Sequence, residues 1–345
     1  MIVIGEPEVA AMLQGLTLEE CRGLLQALWR SLAAYSSADG SVHQPMREQI
    51  VTATNTTLFM PASDTTTTTG VKVVTLPGCG GPPAGALALF SPAGQLEGLL
   101  SAETITAFRT ALATMIPFHL FATNSTTNGG NGARLVVFGA GRQAEWHIRL
   151  ALALAPISRV TVVNRGRAGL GKLQASLETV TRPDVTFVYM SREEEGRLQA
   201  AVSEADAIFC CTPSTEPLFP HSYLRGEGEK EEKEEKEAGR RRFVSLIGSY
   251  RPHMHEVDAD TLLSGQTLLV DSRQACMAEA GELISARVDE RQLTEIGQLL
   301  ASPALFPPAG NVVFKCVGMG IMDLAVGREL LCLAGRNGVG VSVGF

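Results

Sequence analysis

The sequence predicts a two-domain α/β protein: an α+β amino-terminal region, then a domain built on a parallel sheet. Three observations carry this. Beyond residue 133, apolar strands at 134–138, 159–163, 184–189, 206–211, 243–247 and 267–270 alternate with helical stretches, the repeated pattern of an open parallel sheet. The run Arg134-Leu-Val-Val-Phe-Gly139-Ala-Gly141-Arg142-Gln143-Ala144 turns the first of these strands sharply into a helix that extends to Ala155. Between Glu48 and Ala93 the chain is instead β-branched and threonine-rich, broken by Gly70, Pro77-Gly78, Gly80-Gly81-Pro82-Pro83 and Pro92-Ala93-Gly94, which predicts an antiparallel sheet with turns.

The elements follow in order. Val9, Met12, Leu13, Leu16, Leu24, Leu25, Leu28, Trp29 and Leu32 recur at helical spacing, split near Thr17, a natural amino-terminal cap before Glu19 and Glu20, so two amphipathic helices are expected. Helix resumes over Thr104–Phe121. The polar, glycine-rich joint from Asn124 to Gly132 places a boundary between a first domain, 1–125, and a sheet domain, 126–314. A final apolar helix from Gly318 to Ala334 lies in a tail, 315–345, that is expected to return to the first domain. Residues 225–242 hold seven acidic and seven basic side chains and almost nothing to bury, which predicts a solvated excursion between two strands.

Composition excludes several classes. The 345 residues are 45% apolar and 19% charged, the balance of an ordinary globular protein. A net charge of −7 offers no field for a nucleic-acid backbone, and no uninterrupted apolar run approaches the ~20 residues of a membrane span. The start, Met1-Ile-Val-Ile-Gly5-Glu-Pro-Glu8, has no basic flank or long apolar core, so a cytoplasmic location is expected. Seven scattered cysteines without a CxxC pair read as reduced structural thiols. His253-Met-His255 could set two imidazoles on one side of a strand, but further ligands are lacking and no metal is expected. His119 and His147 fall within helical stretches and read as core or surface residues.

The glycine turn points to a nicotinamide dinucleotide. Gly139 permits the tight turn, Gly141 lets backbone approach phosphate, and the small Ala144 lets helix and strand pack closely, as in a Rossmann-type domain. The helix start at Arg142, Gln143 and Ala144 then faces the pyrophosphate with amides and a positive dipole end. At the end of the second strand, an NAD site would place a carboxylate for the ribose hydroxyls. Asn164-Arg165-Gly166-Arg167 stands there instead, and a guanidinium grips the extra phosphate of NADP that a carboxylate would repel. NADP(H) is therefore expected, with Asn164 and Arg165 first in line and Arg167 second.

Several further segments carry a resemblance: Gln44-Pro-Met-Arg47, Phe59-Met-Pro61, Gly70-Val-Lys72, Ile105-Thr-Ala-Phe-Arg109-Thr110-Ala111, Ala205-Asp-Ala-Ile-Phe-Cys-Cys211-Thr212, Ile247-Gly-Ser-Tyr-Arg-Pro252 with Glu256, Val270-Asp271-Ser272, and Phe314-Lys315-x-x-Gly318-Met319-x-x-x-Asp323. In this order, across roughly residues 40 to 330, the chain resembles the ornithine cyclodeaminase/μ-crystallin family. The resemblance implies a substrate-binding and dimerisation domain beside the Rossmann domain, a homodimer through the first domain's sheet, and a small imino or amino acid substrate. It also implies that Arg47 and Arg109 pin the substrate carboxylate and that Lys72 sits at the reacting carbon. A lysine buried between two arginines should lose proton affinity through desolvation and like charge, towards a value useful in acid-base work. By the same resemblance Thr110 reaches the pyrophosphate, Cys211 and Thr212 follow a strand end where ligands of open sheets sit, and Val317, Gly318 and Met319 lie near the nicotinamide. Asp323 would cap or orient neighbouring groups, or serve structure alone.

One departure bears on the reaction. Ornithine cyclodeaminases carry an aspartate for the substrate's terminal amine where this chain has Tyr250, within Gly248-Ser249-Tyr250-Arg251-Pro252. Neither Ser249 nor Tyr250 offers a permanent anion, so the loop is similar to the μ-crystallin branch, whose activity is NADPH-dependent reduction of cyclic ketimines. The expectation is reduction of a cyclic imine carboxylate. An amino-acid dehydrogenase, an ornithine cyclodeaminase-like lyase and a non-catalytic NADPH-binding protein are the competing possibilities.

Overall fold

Two sheets organise the chain, and the chain leaves the first, builds the second and comes back. The computed structural model describes residues 1–78, 81, 83–124, 132–224 and 241–344. Packing divides the protein into one unit of Met1–Ala113 with Gly318–Phe345, and another of Thr114–Val317. In chain order the elements are β1 (Ile2–Ile4), α1 (Glu6–Gln14), α2 (Leu18–Ser37), β2 (Val42–His43), β3 (Glu48–Val51), β4 (Asn55–Asp64), β5 (Thr68–Pro77), β6 (Ala84–Phe90), β7 (Leu96–Ser101) and α3 (Glu103–Asn124). The second unit adds β8 (Ala133–Phe138), α4 (Arg142–Leu154), β9 (Ile157–Asn164), α5 (Arg167–Leu177), β10 (Thr186–Ser191), α6 (Glu195–Glu204), β11 (Ala207–Cys210), β12 (Phe243–Leu246), α7 (Ala259–Leu262), β13 (Gly265–Val270), α8 (Arg273–Glu279), α9 (Gly281–Ser285), β14 (Leu293–Glu295), α10 (Gln298–Ala301) and β15 (Asn311–Lys315). The chain then returns through α11 (Gly320–Asn337) and β16 (Val341–Ser342).

In the first unit the sheet runs β16-β1-β7-β6-β5-β4-β2, with β3 also pairing with β4. Its central pairs, β4 with β5, β5 with β6 and β6 with β7, are antiparallel, as the turn-rich texture predicted. The α1–α2 break falls where expected, because the Thr17 side chain accepts from the Glu20 amide while Glu20 accepts from the Thr17 amide. Side chains alternate across the sheet. Met60, Lys72, Leu87 and Leu100 face inward and are buried, whereas Phe59, Val73, Ala86, Pro61, Val71, Ala88 and Leu99 share the opposite, half-exposed face. Helix α11 lies against the inward side of β4, β5 and β6.

The second unit is a parallel sheet of order β10-β9-β8-β11-β12-β15-β13-β14. The expected strands are present with ends shifted by one to two residues. Sequence reasoning did not identify β15, which sits centrally between β12 and β13; its five residues follow Pro307, Pro308 and Gly310, which read as loop. The excursion at 225–242 lies outside the described residues except at its end, where the structure departs from the expectation. Arg242 is buried, donating from Nη2 to the Ser203 carbonyl, and the Arg241 guanidinium stacks 5.5 Å from the Phe121 ring and 5.3 Å from that of Phe306.

The expected domain border at 125/126 moves into α3. The reason is packing: Thr114, Phe118 and Phe121 on its second half contact second-unit groups. Phe118 meets Phe209 edge-on at 5.3 Å, Phe121 lies 5.9 Å from Phe243, and the Thr114 hydroxyl is 2.9 Å from Nε2 of His147. His147 is a core residue, with Nδ1 2.7 Å from the Gln143 carbonyl and a pKa that burial lowers to about 4. The second border lies at 317/318 rather than 314/315, at the left-handed Gly318. By length and composition α3 is also apolar enough to cross a bilayer, although polar residues interrupt its apolar run. It serves as a core helix here, since 78% of that window is buried inside the molecule.

Candidate active site

Two cations from distant stretches of the first unit, Lys72 and Arg109, meet one carboxylate. Strand β5 delivers Lys72 to the inward face of its sheet, beside Met60 on β4 and Leu87 on β6. Helix α3 delivers Arg109, and α11 delivers Asp323. The Lys72 ammonium lies 2.7 Å from Oδ2 of Asp323, and Nε of Arg109 lies 3.2 Å from Oδ1. All three side chains are buried, Asp323 completely. Lys72 also donates to the Thr106 hydroxyl at 3.5 Å, and Nη1 of Arg109 approaches the Met322 sulfur at 3.5 Å. Half-buried Arg47 stands near enough that its charge bears on Lys72. Gln44, three residues before it, is tied down by accepting from the Ile321 amide at 2.7 Å.

The electrostatics follow from this arrangement. Burial pushes the Lys72 pKa down to about 8; Asp323 resists the change, while Arg109 and then Arg47 add to it. The expectation of a depressed lysine therefore holds, with an anion in the balance that sequence reasoning had left between orienting and purely structural roles. Gly318 shapes the same cluster. It has φ +86°, and a Cβ there would lie 2.5 Å from Nη1 and 2.7 Å from Nη2 of Arg109, so only glycine lets the guanidinium pack on this backbone.

The second unit carries the glycine turn. Gly139 has φ +114°, its amide donates to the Val163 carbonyl at 2.8 Å, and a Cβ would meet the Cys211 carbonyl oxygen at 2.9 Å. Gly141 is the N-cap of α4 without a side-chain cap, and a Cβ there would meet open space, leaving the helix start accessible to an anion. Ala144 is fully buried, as close packing requires. Oε1 of Gln143 is buried and makes no hydrogen bond among the described residues, an acceptor that a bound polar group can satisfy. Arg165 and Arg167 are exposed past the end of β9, and Asn164 donates from Nδ2 to the Gly166 carbonyl at 2.9 Å. These residues fit a dinucleotide.

Other expected positions are placed differently. The Thr110 hydroxyl donates to the Thr106 carbonyl of its own helix at 2.8 Å, so a phosphate contact requires it to rotate. Cys211 is buried with its thiol pKa raised well above the usual range by burial, and it presents backbone, not sulfur, to the turn. Met319 is buried, and the Val317 amide donates to Asp271 at 3.3 Å. Tyr250 belongs to the second unit, half-buried, with the Arg251 guanidinium 5.7 Å from its ring. His253 lies in a turn and His255 in irregular chain, neither on a strand, and His255 Nε2 pairs with the Ser285 hydroxyl at 2.7 Å. Five of the six described free cysteines are buried, and no three His, Cys, Asp or Glu cluster in metal-holding geometry among the described residues.

Sequence reasoning did not foresee a second buried network, at the carboxyl ends of β11, β12, β13 and β15. Lys315, fully buried, donates to the Ser249 carbonyl at 2.5 Å and lies 3.3 Å from Oε2 of Glu282. Glu256 accepts from the Thr212 amide at 2.8 Å and the Gly248 amide at 2.7 Å, stitching the loops after β11 and β12 together. Burial pushes the Glu256 pKa up to about 7, with Lys315 opposing and Glu282 adding to the rise. The one legible signal was Lys315 itself, a cation directly after the apolar residues Val312–Phe314, which demands a counter-charge where it is buried.

A chain that combines a βαβ domain carrying a glycine turn with a unit carrying a buried lysine–arginine–carboxylate cluster has the parts of a nicotinamide-linked enzyme. The chain belongs to the ornithine cyclodeaminase/mu-crystallin family, which it matches over residues 9–330. Among its relatives, the ketimine reductase mu-crystallin of Rattus norvegicus is 29% identical over 315 residues, covering 88% of this chain and 90% of the relative. A Delta(1)-pyrroline-2-carboxylate reductase of Bacillus cereus is 26% identical over 320 residues, covering 87% and 89%. The fold is also that of the Thermococcus litoralis Delta(1)-pyrroline-2-carboxylate reductase, solved with NADH and L-proline, at a TM-score of 0.78, 20% identity and coverage of 99% and 100%.

Proposed function

We propose that the protein reduces a cyclic imine carboxylate, such as pyrroline-2-carboxylate or piperideine-2-carboxylate, to the cyclic amino acid at the expense of NADPH. The observation that carries this is the buried cluster of Lys72 and Arg109 on Asp323, with Arg47 near enough that its charge bears on Lys72. Arg47 and Arg109 hold the substrate carboxylate, Arg109 in a pose set by Asp323 and Gly318. Lys72, poised near pH 8, holds the proton that the imine nitrogen takes up as its double bond becomes a single bond. A reduced nicotinamide, held at the glycine turn, would supply the hydride that the α-carbon accepts. Rat and bacterial relatives named for ketimine and pyrroline-2-carboxylate reduction support the same chemistry. Tyr250 in place of an aspartate argues against deaminating ring closure of ornithine. The test is loss of NADPH absorbance with the two imines; no oxidation at high enzyme, alongside ammonia-dependent oxidation with 2-keto acids, would favour an amino-acid dehydrogenase instead.

We read the cofactor as NADP(H). Exposed Arg165, with Asn164 and Arg167, supports it. Arg165→Ala is expected to weaken NADPH binding by about 10- to 100-fold while leaving NADH within about twofold. Equal losses for both cofactors would refute the assignment.

We also read the half-exposed face of the first sheet, carrying Phe59, Pro61, Val71, Val73, Ala86, Ala88 and Leu99, as the surface that pairs two copies in a homodimer. Light scattering should give twice the mass of one chain, and Val73→Asp should halve it. A monomeric wild type at working concentration would remove the dimer. We place the protein in the cytoplasm, which subcellular fractionation checks.

A further inference from the structure

We propose that Asp323 is a positioning residue of this reaction, one carboxylate oxygen orienting Lys72 and the other Arg109, so that a single anion keeps the proton-bearing ammonium charged and the carboxylate-binding guanidinium aimed. The inference rests on the function proposed above. Its ground is geometry: Asp323 spends Oδ2 on Lys72 at 2.7 Å and Oδ1 on Arg109 at 3.2 Å, and it is fully buried. The groups that bear on Lys72 are Asp323 from α11, Arg109 and Thr106 from α3, and Arg47 from the segment before β3. Its strand neighbours Met60 and Leu87 do not titrate. Asp323 is thus the one anion among three cations in this described set. Burial and both arginines drive the Lys72 proton off, and Asp323 works against them.

The sign of the effect follows. Without the carboxylate charge the lysine deprotonates at a lower pH, so every property that needs its ammonium fails earlier on the alkaline side. A purely structural aspartate would, when changed to its isosteric amide, lower stability and leave that limb in place. Asp323→Asn removes the charge, and Asp323→Glu keeps it one methylene out of register.

The test uses the full chain. The pH dependence of kcat/KM with NADPH and pyrroline-2-carboxylate is measured beside that of L-proline binding with NADP⁺, by calorimetry, which needs no turnover. The wild type should lose both on the alkaline side, near pH 8. In Asp323→Asn both midpoints should move at least about one pH unit lower. In Asp323→Glu the midpoints should hold while kcat falls about tenfold. Unmoved midpoints in the Asn variant, or the same displacement in both variants, would overturn the proposal. Should the Asn variant fail to fold by circular dichroism, the Glu variant decides: reduced kcat with the midpoint in place supports it, and undiminished kcat refutes it. Wild-type enzyme that binds L-proline yet reduces no imine would refute the proposed reaction while the L-proline titrations still judge Asp323. If it does neither, both fall.

Discussion

Replacing Lys72 by methionine is expected to lower kcat/KM for the cyclic imine carboxylate by at least about 10³-fold while leaving NADPH affinity within about twofold. Methionine matches the length and apolar stem of lysine, so the place on β5 between Met60 and Leu87 stays filled. What disappears is the proposed proton donor. General acid catalysis alone accounts for about 10²- to 10⁴-fold, and loss of a buried positive charge beside the developing amine adds to it. Stability should also drop by about 1–3 kcal/mol, because Oδ2 of Asp323 loses its buried partner while Arg109 continues to hold Oδ1. Steady-state kinetics, cofactor titration and a thermal melt separate these effects. Retention of more than a tenth of the wild-type kcat/KM would mean that the proton comes from elsewhere.

Gly318→Ala should strongly impair substrate handling. Two costs coincide at one position. The backbone at φ +86° disfavours any residue with a Cβ by about 1–2 kcal/mol, and the new methyl would fall 2.5 Å from a guanidinium nitrogen of Arg109. Arg109 has little freedom to yield, because Nε is ion-paired to Asp323 and Nη1 lies against the Met322 sulfur. Displacing it would misaim the proposed carboxylate clamp. The expected result is a KM for the imine raised by about 30-fold or more, with NADPH binding retained. An alanine variant with wild-type KM would show that Arg109 does not touch the substrate carboxylate.

Much of the architecture was legible because it is written in local periodicity. The apolar run 134–138 and the glycines after it specify a strand and turn through residues a few positions apart, and Thr17 with Glu20 closes a helix start within one turn. The strand Asn311–Lys315 was not legible, since a five-residue strand framed by prolines and glycine has no period to read. The border inside α3 escaped for another reason. A continuous helix gives no sequence sign that its first half packs with one sheet and its last aromatic residues with another. Glu282 was invisible because its partner Lys315 lies on a distant strand, and Arg242 was misread because a charge run looks solvated wherever it ends.

By itself the sequence determined the kinds of chemistry available: three cations in the amino-terminal half, a glycine turn, arginines where a carboxylate would favour NAD, and Tyr250 where, by the family resemblance, ornithine cyclodeaminases carry an aspartate. Tertiary structure alone decided the balance among them. Lys72 and Arg109 acquire their charges' meaning only when α11 comes back from the far end of the chain and sets Asp323 between them. A proton affinity is a property of surroundings, through lost solvent and nearby charge, and those surroundings are assembled from residues more than two hundred positions apart.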